Sequence, residues 1–175
     1  MAKYLINERY EVGEADARRE FSVGDRREDY ADAWQDTGNL ILVGLRGAGK
    51  AELARLIGER TGLGVAVPET LEEAVAALAP GGRIVVLGDE LVGHDDVRPL
   101  IHGAGKVFYL MADTRLLSGR LAVRGEGADK EALWRGLSAR LSLMEPVFYS
   151  VLHFILQASG TPEEMLDDAL EKIGY

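Results

Sequence analysis

The 175-residue sequence predicts an α/β fold of three layers, in which helices cover both faces of a five-stranded parallel sheet. Two observations lead to this prediction. From Asn39 onward, short apolar runs alternate with stretches of helical periodicity, which is the pattern of repeated strand–helix units. The runs are apolar throughout rather than at alternate positions, which is typical of strands buried on both faces. The domain is therefore predicted to span residues 39–175.

A glycine-rich loop lies between the first predicted strand and the first predicted helix. Leu40–Val43 is the strand, and it is followed by the spacing Gly-x-x-x-x-Gly-Lys, which ends at Lys50. Glycines let successive backbone amides point toward one spot, and the helix N-terminus and the lysine add positive charge. Between a strand and a helix, this motif predicts a phosphate-binding loop made by Gly44, Gly47, Ala48, Gly49, Lys50 and Ala51.

Ala51 departs from the usual form of this motif. Ser or Thr normally follows the lysine and binds Mg²⁺ through its hydroxyl, whereas alanine has no oxygen there. A water molecule can take that place in the Mg²⁺ shell. Loss of a contact of about 1.5–3 kcal/mol slows a reaction by roughly 10- to 100-fold. Ala51 alone therefore weakens a kinase without abolishing its activity.

The other elements are predicted from apolar runs and capping residues. The later strands are expected at residues 64–67, 83–88, 106–111 and 154–157. Helices are expected to begin at the Thr70–Glu73 capping box, at Asp95 or Asp96 (ending at His102), at Thr114 (ending near Arg124), at Asp129 and at Thr161. Pro146 is expected to kink or stop the long helix that begins at Asp129.

The composition limits the classes of function. With 47% apolar and 28% charged residues, the sequence is typical of a soluble globular protein. It contains no cysteine, which excludes disulfides and thiolate metal sites, and no apolar run long enough for a signal peptide or a membrane span. A net charge of −9 without a basic run argues against nucleic-acid partners. We therefore expect a cytoplasmic protein with no membrane or nucleic-acid partner.

Residues 1–38 differ in composition from the rest and are predicted to be a charged N-terminal extension. They carry ten acidic and six basic residues, with aromatic side chains between them. The aromatic area favours a segment that lies over the domain, with a helix near residues 26–35, or a homodimer contact. A solvated, partly disordered leader is the alternative interpretation.

Two acidic residues, Asp89 and Glu90, follow the third predicted strand. Ligands of open parallel sheets bind at the carboxyl ends of the strands, where P-loop proteins place an acid that holds Mg²⁺. We therefore predict Asp89 and Glu90 as Mg²⁺-binding residues, acting through water and carboxylates, with Asp89 and Lys50 in catalysis. The alternative is a turn with two solvated carboxylates.

Three stretches together resemble the shikimate kinases in order and spacing, over about residues 39–173. They are Val43–Lys50, Val107–Leu121 and Glu145–Tyr149. The resemblance implies the strand order 2-3-1-4-5, a lid over the nucleotide, and ATP-dependent phosphorylation of a small-molecule hydroxyl. It also implies that Lys50 holds the β- and γ-phosphates, that Arg120 lies near adenine and that Arg124 takes the place of the lid arginine. For both arginines the alternative is a solvated helix end.

The acceptor side departs from that family. Its Asp-x-Asp after the second strand is replaced here by Val65–Thr70, and the helices that close over shikimate are missing before the next strand. The glycine triplet after the third strand reads Gly-Asp-Glu, and Met144 stands where an arginine is expected. A carboxylate-bearing acceptor would need that arginine.

Three functional hypotheses follow. In the first, the chain binds ATP or another nucleotide phosphate, while shikimate phosphorylation is weakened or lost. In the second, it is an active ATP-dependent small-molecule kinase, such as shikimate kinase itself, that uses Asp89 or Glu90 in place of the missing acid. In the third, it is a non-catalytic regulatory or interaction module.

Overall fold

The computed structural model describes residues 37–127 and 129–175. The helix expected near residues 26–35 and the expected dimer contact of the N-terminal extension lie outside these residues. The division at residue 38 therefore stays a prediction.

One sheet, in which all neighbouring strands are parallel, organises the described residues. Its strands are β1 (Leu40–Val43), β2 (Gly64–Ala66), β3 (Arg83–Val86), β4 (Lys106–Met111) and β5 (Phe154–Gln157). Their order across the sheet is β2-β3-β1-β4-β5. The predicted five strands and their order are therefore confirmed, although β2 ends one residue and β3 two residues earlier than expected.

Seven helices lie within the described residues. They are α1 (Lys50–Thr61), α2 (Leu71–Leu78), α3 (Asp89–Gly93), α4 (Arg98–Ile101), α5 (Thr114–Val123), α6 (Lys130–Val151) and α7 (Pro162–Ile173). Thr70 begins α2 through the expected capping box with Glu73, and Thr161 caps α7 as predicted. None of these helices is long and apolar enough to cross a lipid bilayer.

The stretch after β3 differs from the prediction of one helix beginning at Asp95 or Asp96. The structure has two short helices there, α3 and α4, and α4 begins only at Arg98. Pro99 lies in the first turn of α4, where its missing N–H costs nothing. The unpredicted α3 begins with Asp89 and Glu90, whose carboxylates suit the positive end of a helix.

The boundaries of α5 and α6 need two smaller corrections. The cap of α5 is Asp113 rather than Thr114, because the Asp113 carboxylate accepts a hydrogen bond from the Arg115 amide at 2.7 Å. Thr114 is buried instead, with its hydroxyl 2.9 Å from that of Ser138. Pro146 does not stop α6, which continues to Val151.

The core lies around the central strand β1, whose four residues are all buried. Strand β1 pairs with β3 on one side and with β4 on the other. Helix α1 packs against α7 and β3, whereas α6 packs against α3, α5 and β4. This packing brings the start of α1, the start of α3 and the middle of α6 to the carboxyl ends of the strands.

At the opposite end of the sheet, the buried side chain of Asn39 joins three segments of backbone. Its amide nitrogen donates to the carbonyls of Ala79 at 3.0 Å and Ala104 at 3.1 Å, and its oxygen accepts from the Arg83 amide at 3.2 Å. Only 1% of the residue is exposed, so water cannot replace these partners. Asn39 therefore fixes the chain ahead of β3 and β4 relative to β1.

Asn39→Ala is expected to lower the free energy of unfolding by about 1–3 kcal/mol, because the Ala79 carbonyl and the Arg83 amide lose this side-chain partner. Urea unfolding followed by circular dichroism measures this change. Gln157→Ala, which removes an exposed amide at the end of β5, is the matched control and is expected to change stability little. An Asn39→Ala effect no larger than that of the control would contradict the role given to this side chain.

Candidate functional site

The loop between β1 and α1 depends on glycines at two positions. Gly44 has a φ of +144°, and a Cβ there would lie 2.8 Å from the Leu110 carbonyl oxygen on β4. Gly47 has a φ of +82°, and a Cβ there would lie 3.3 Å from the Leu117 carbonyl oxygen. Side chains other than hydrogen would therefore be strained in both places and would push the loop away from β4 and α5.

The first turn of α1 has no side-chain cap among the described residues. Its N-cap is Gly49, whereas α2, α5, α6 and α7 are each capped by a Thr or Asp oxygen. The first amides of a helix have no partner within the helix itself, and their partial positive charge attracts anions. The start of α1 is therefore suited to bind a phosphate group.

Lys50 lies at the first position of α1, and its side chain turns back over the loop. Its Nζ donates to the Gly44 carbonyl and, at 3.0 Å, to the Leu45 carbonyl. Burial lowers the pKa of Lys50 to about 8, while the nearby Asp89 carboxylate acts in the opposite direction. The Lys50 ammonium is thus held against the loop by uncharged backbone carbonyls.

A cavity of about 180 Å³ adjoins this loop between α1, α5 and the segment that follows β5. Two arginines predicted to contact nucleotide, Arg120 and Arg124, line it, and Arg120 Nη1 donates to the Gly47 carbonyl at 3.3 Å. The rest of the lining is Gly47, Gly49, Glu52, Gly160, Pro162 and Met165. The structure therefore brings the glycine loop and both arginines to one place.

The residues between β5 and α7 were missed as site residues by sequence reasoning. Gly160, Pro162 and Met165 contribute one wall of the cavity. The sequence did contain a signal for these residues. The carboxyl ends of parallel strands share one edge of the sheet, and this segment directly follows the last strand.

Asp89 lies at the same edge of the sheet but is already paired. Arg140 Nε, on α6, donates to Asp89 Oδ2 at 2.5 Å, and only 13% of the Asp89 side chain is exposed. Sequence reasoning did not find Arg140, because its partner is 51 residues away in the chain. Met144, one turn further along α6, is buried and lies beside Gly93 of α3. Glu90 is exposed to solvent.

A second ion pair crosses from the glycine loop to the segment after α5. Arg46 Nη2 lies 2.8 Å from the Glu126 carboxylate, and both side chains are largely exposed. The pair joins the loop to the stretch in which the sequence predicts a lid. Exposed pairs of this kind stabilise by less than about 1 kcal/mol.

The oxygen atoms near the loop differ from those that usually bind Mg²⁺ in P-loop proteins. P-loop proteins hold this ion with a hydroxyl after the loop lysine and with an acid from a neighbouring strand. Here Ala51 supplies no oxygen, and Asp89 is engaged by Arg140. Among residues 37–127 and 129–175, no three His, Asp or Glu side chains come together as a metal site. The roles predicted for Asp89 and Glu90 as metal-binding residues stay predictions.

The chain is similar in sequence to shikimate kinases. No protein-family model matches the chain. Shikimate kinase 2 of Yersinia enterocolitica is 26% identical over 165 residues, which cover 77% of this chain and 94% of that protein. Shikimate kinase 2 of Syntrophotalea carbinolica is 28% identical over 165 residues, covering 77% and 96%. Because 77% of this chain is fewer than 165 residues, the matched region is shorter here than in either relative.

Solved structures share the fold. Shikimate kinase from Acinetobacter baumannii, in complex with shikimate, has a TM-score of 0.66 at 18% identity and covers 77% of this chain and 92% of its own. The YorR protein from Bacillus subtilis, in complex with phosphorylated GDP, has a TM-score of 0.63 at 18% identity and covers 78% and 95%. The strand order, the glycine loop and the sequence similarity together make this chain a distant homologue of the shikimate kinase family of P-loop kinases.

Proposed function

We propose that the chain binds ATP or another nucleoside phosphate at the loop Gly44–Lys50, and that its ability to phosphorylate shikimate is weakened or lost. One observation carries the first part of this proposal. The uncapped start of α1 and the arginines Arg120 and Arg124 meet at one cavity, and Lys50, the first residue of α1, donates to the carbonyls of the adjoining loop. A fold neighbour, YorR, has been solved with phosphorylated GDP.

We assign a group of residues to each part of the nucleotide. The amides at the start of α1 and the Lys50 ammonium hold the phosphates, because both concentrate positive charge there. The cavity beside Arg120 and Pro162 takes the base, because a planar guanidinium stacks well on an aromatic face. Arg124 also lines the cavity and is exposed, and its positive charge favours the phosphates.

The second part of the proposal concerns the acceptor. Residues 67–70 join β2 to α2 directly and contain Glu69 as their sole carboxylate, where shikimate kinases carry Asp-x-Asp. Met144 is an apolar core residue in place of the expected arginine. The shorter matched region agrees with the missing helices. Each difference removes a group that would hold a polar, carboxylate-bearing acceptor.

A second candidate is an active kinase for another small molecule. The observation that favours it is that Asp89, which follows β3 at the carboxyl edge of the sheet, acts to raise the pKa of Lys50 against the effect of burial. Such an acid can accept a proton from an attacking hydroxyl. For that role Asp89 would have to be released from Arg140. Magnesium, if it takes part, would have to arrive bound to the nucleotide's own phosphates.

Nucleotide binding is tested by replacing the loop lysine. Lys50→Met is expected to weaken the binding of ADP and ATP by roughly 10- to 100-fold, the worth of a hydrogen bond to a charged group. Isothermal titration calorimetry on the full chain measures the dissociation constants. Lys172→Met, whose lysine pairs with Asp168 on α7, is the matched control and is expected to bind normally. Equal affinities in wild type and Lys50→Met would refute the phosphate site.

The affinity for nucleotide is expected to depend on pH through Lys50. Below its lowered pKa of about 8 the side chain is an ammonium, and above it the free protein must take up a proton to bind phosphate. The dissociation constant is therefore expected to rise above pH 8, approaching about tenfold per pH unit. Titrations from about pH 7 to about pH 10 cover the range up to the ordinary lysine pKa.

Lys50→Arg is the control for this pH dependence, because a guanidinium stays charged throughout the range. Its affinity is expected to be flat with pH. A wild-type affinity that is also flat across the range would contradict the assigned role of Lys50.

Shikimate phosphorylation is tested with ATP, Mg²⁺ and shikimate in a coupled assay. Turnover is expected to fall below about 1 s⁻¹, the lower end for kinases, because the acceptor groups are missing. Turnover at ordinary rates that is abolished in Lys50→Ala would instead establish an active shikimate kinase. Nucleotide binding without turnover on any hydroxyl acceptor would favour the non-catalytic module.

A further inference from the structure

The hydroxyl position and the strand-end acid that usually bind a metal in this kind of site are absent and occupied, respectively. The usual shell needs a hydroxyl after the loop lysine, and Ala51 presents a methyl group there. The acid at the end of β3 is Asp89, whose Oδ2 lies 2.5 Å from Arg140 Nε. A guanidinium therefore stands where a metal would approach that carboxylate.

Taking Asp89 away from Arg140 is unfavourable. The Asp89 side chain is 13% exposed and the Arg140 side chain 37%, so water screens the pair incompletely. A divalent cation bound to Asp89 would leave the guanidinium without its carboxylate and would put two cations side by side. Both effects oppose metal binding at this carboxylate.

The cationic groups around the loop neutralise phosphate without a metal. Lys50 donates to backbone carbonyls, and Arg120 and Arg124 line the neighbouring cavity. The one acid in that lining, Glu52, is held by Arg55 at 2.7 Å. A metal-free nucleotide carries more negative charge than its Mg²⁺ complex, so these cations favour the metal-free form.

We propose that this site binds nucleoside phosphates as the metal-free anion, and that the Asp89–Arg140 ion pair withholds the carboxylate that a metal would use. The inference rests on the proposed nucleotide site and adds the chemical form of its ligand. Arg140 acts through Asp89 and is a positioning residue. Its effect is on metal dependence, and it makes no contact with the nucleotide in this role.

The test is calorimetric titration of the full chain with ADP and with ATP, once in EDTA and once in millimolar Mg²⁺. The dissociation constant in EDTA is expected to be equal to or smaller than that in Mg²⁺. A site with a metal shell would behave in the opposite way. Binding that is about tenfold or more weaker in EDTA, a difference of about 1.4 kcal/mol, would overturn the inference and leave the proposed nucleotide site standing.

Two substitutions together are expected to restore metal dependence. Arg140→Gln releases Asp89, and Ala51→Ser supplies the missing hydroxyl. In the double variant Mg²⁺ is expected to tighten ADP binding by about tenfold or more, because hydrogen-bond and ligand contacts to a charged group are stronger than those between neutral groups. If the ion pair only stabilised the fold, Arg140→Gln would change the melting temperature. It would not change the ratio of the dissociation constants measured in EDTA and in Mg²⁺.

Arg135→Gln with Ala51→Ser is the matched control, because Arg135 lies on the same helix and is 74% exposed. Its binding is expected to stay as independent of Mg²⁺ as that of Ala51→Ser alone. A metal response in this control equal to that of the Arg140 variant would overturn the role of the ion pair. Failure of wild type to bind either nucleotide in either buffer would refute the proposed function itself.

Discussion

The close approach of the loop backbone to strand β4 is the constraint on which the site depends. At Gly44 the chain passes so near the Leu110 carbonyl that a Cβ would lie 2.8 Å from its oxygen. This approach turns the chain from the end of β1 into the start of α1, whose first turn has no side-chain cap. Without a glycine there, the loop would move away from the sheet, and Lys50 and Arg120 would lose the loop carbonyls to which they donate.

Two groups of charged residues lie at the carboxyl edge of the sheet. On one side, Lys50 and the cavity arginines gather positive charge around neutral backbone acceptors. On the other, Asp89 and Arg140 neutralise each other, so that neither charge is offered freely to a ligand. The first group carries the charges that the proposed phosphate binding needs, whereas the second differs from what a metal-dependent phosphoryl transfer requires.

The relation to shikimate kinases follows the same division. The fold and the glycine loop agree with that family, and the sequence match covers nearly the whole length of its relatives. The differences concentrate around the acceptor, at residues 67–70, at Asp89 and at Met144. A fold can keep one ligand site while the neighbouring site changes, because the two are built from different strand ends and loops.

The sequence by itself determined the five strands, their order through the family resemblance, and the identity of the loop. These follow from local apolar runs and from a motif whose spacing is set within one strand and one helix. Tertiary structure alone decided that Arg140 pairs with Asp89, that residues around Pro162 line one side of the cavity, and that α3 begins at Asp89. Such contacts depend on how α6 and the last strand pack against the first three, and no local pattern encodes partners that lie 51 residues apart.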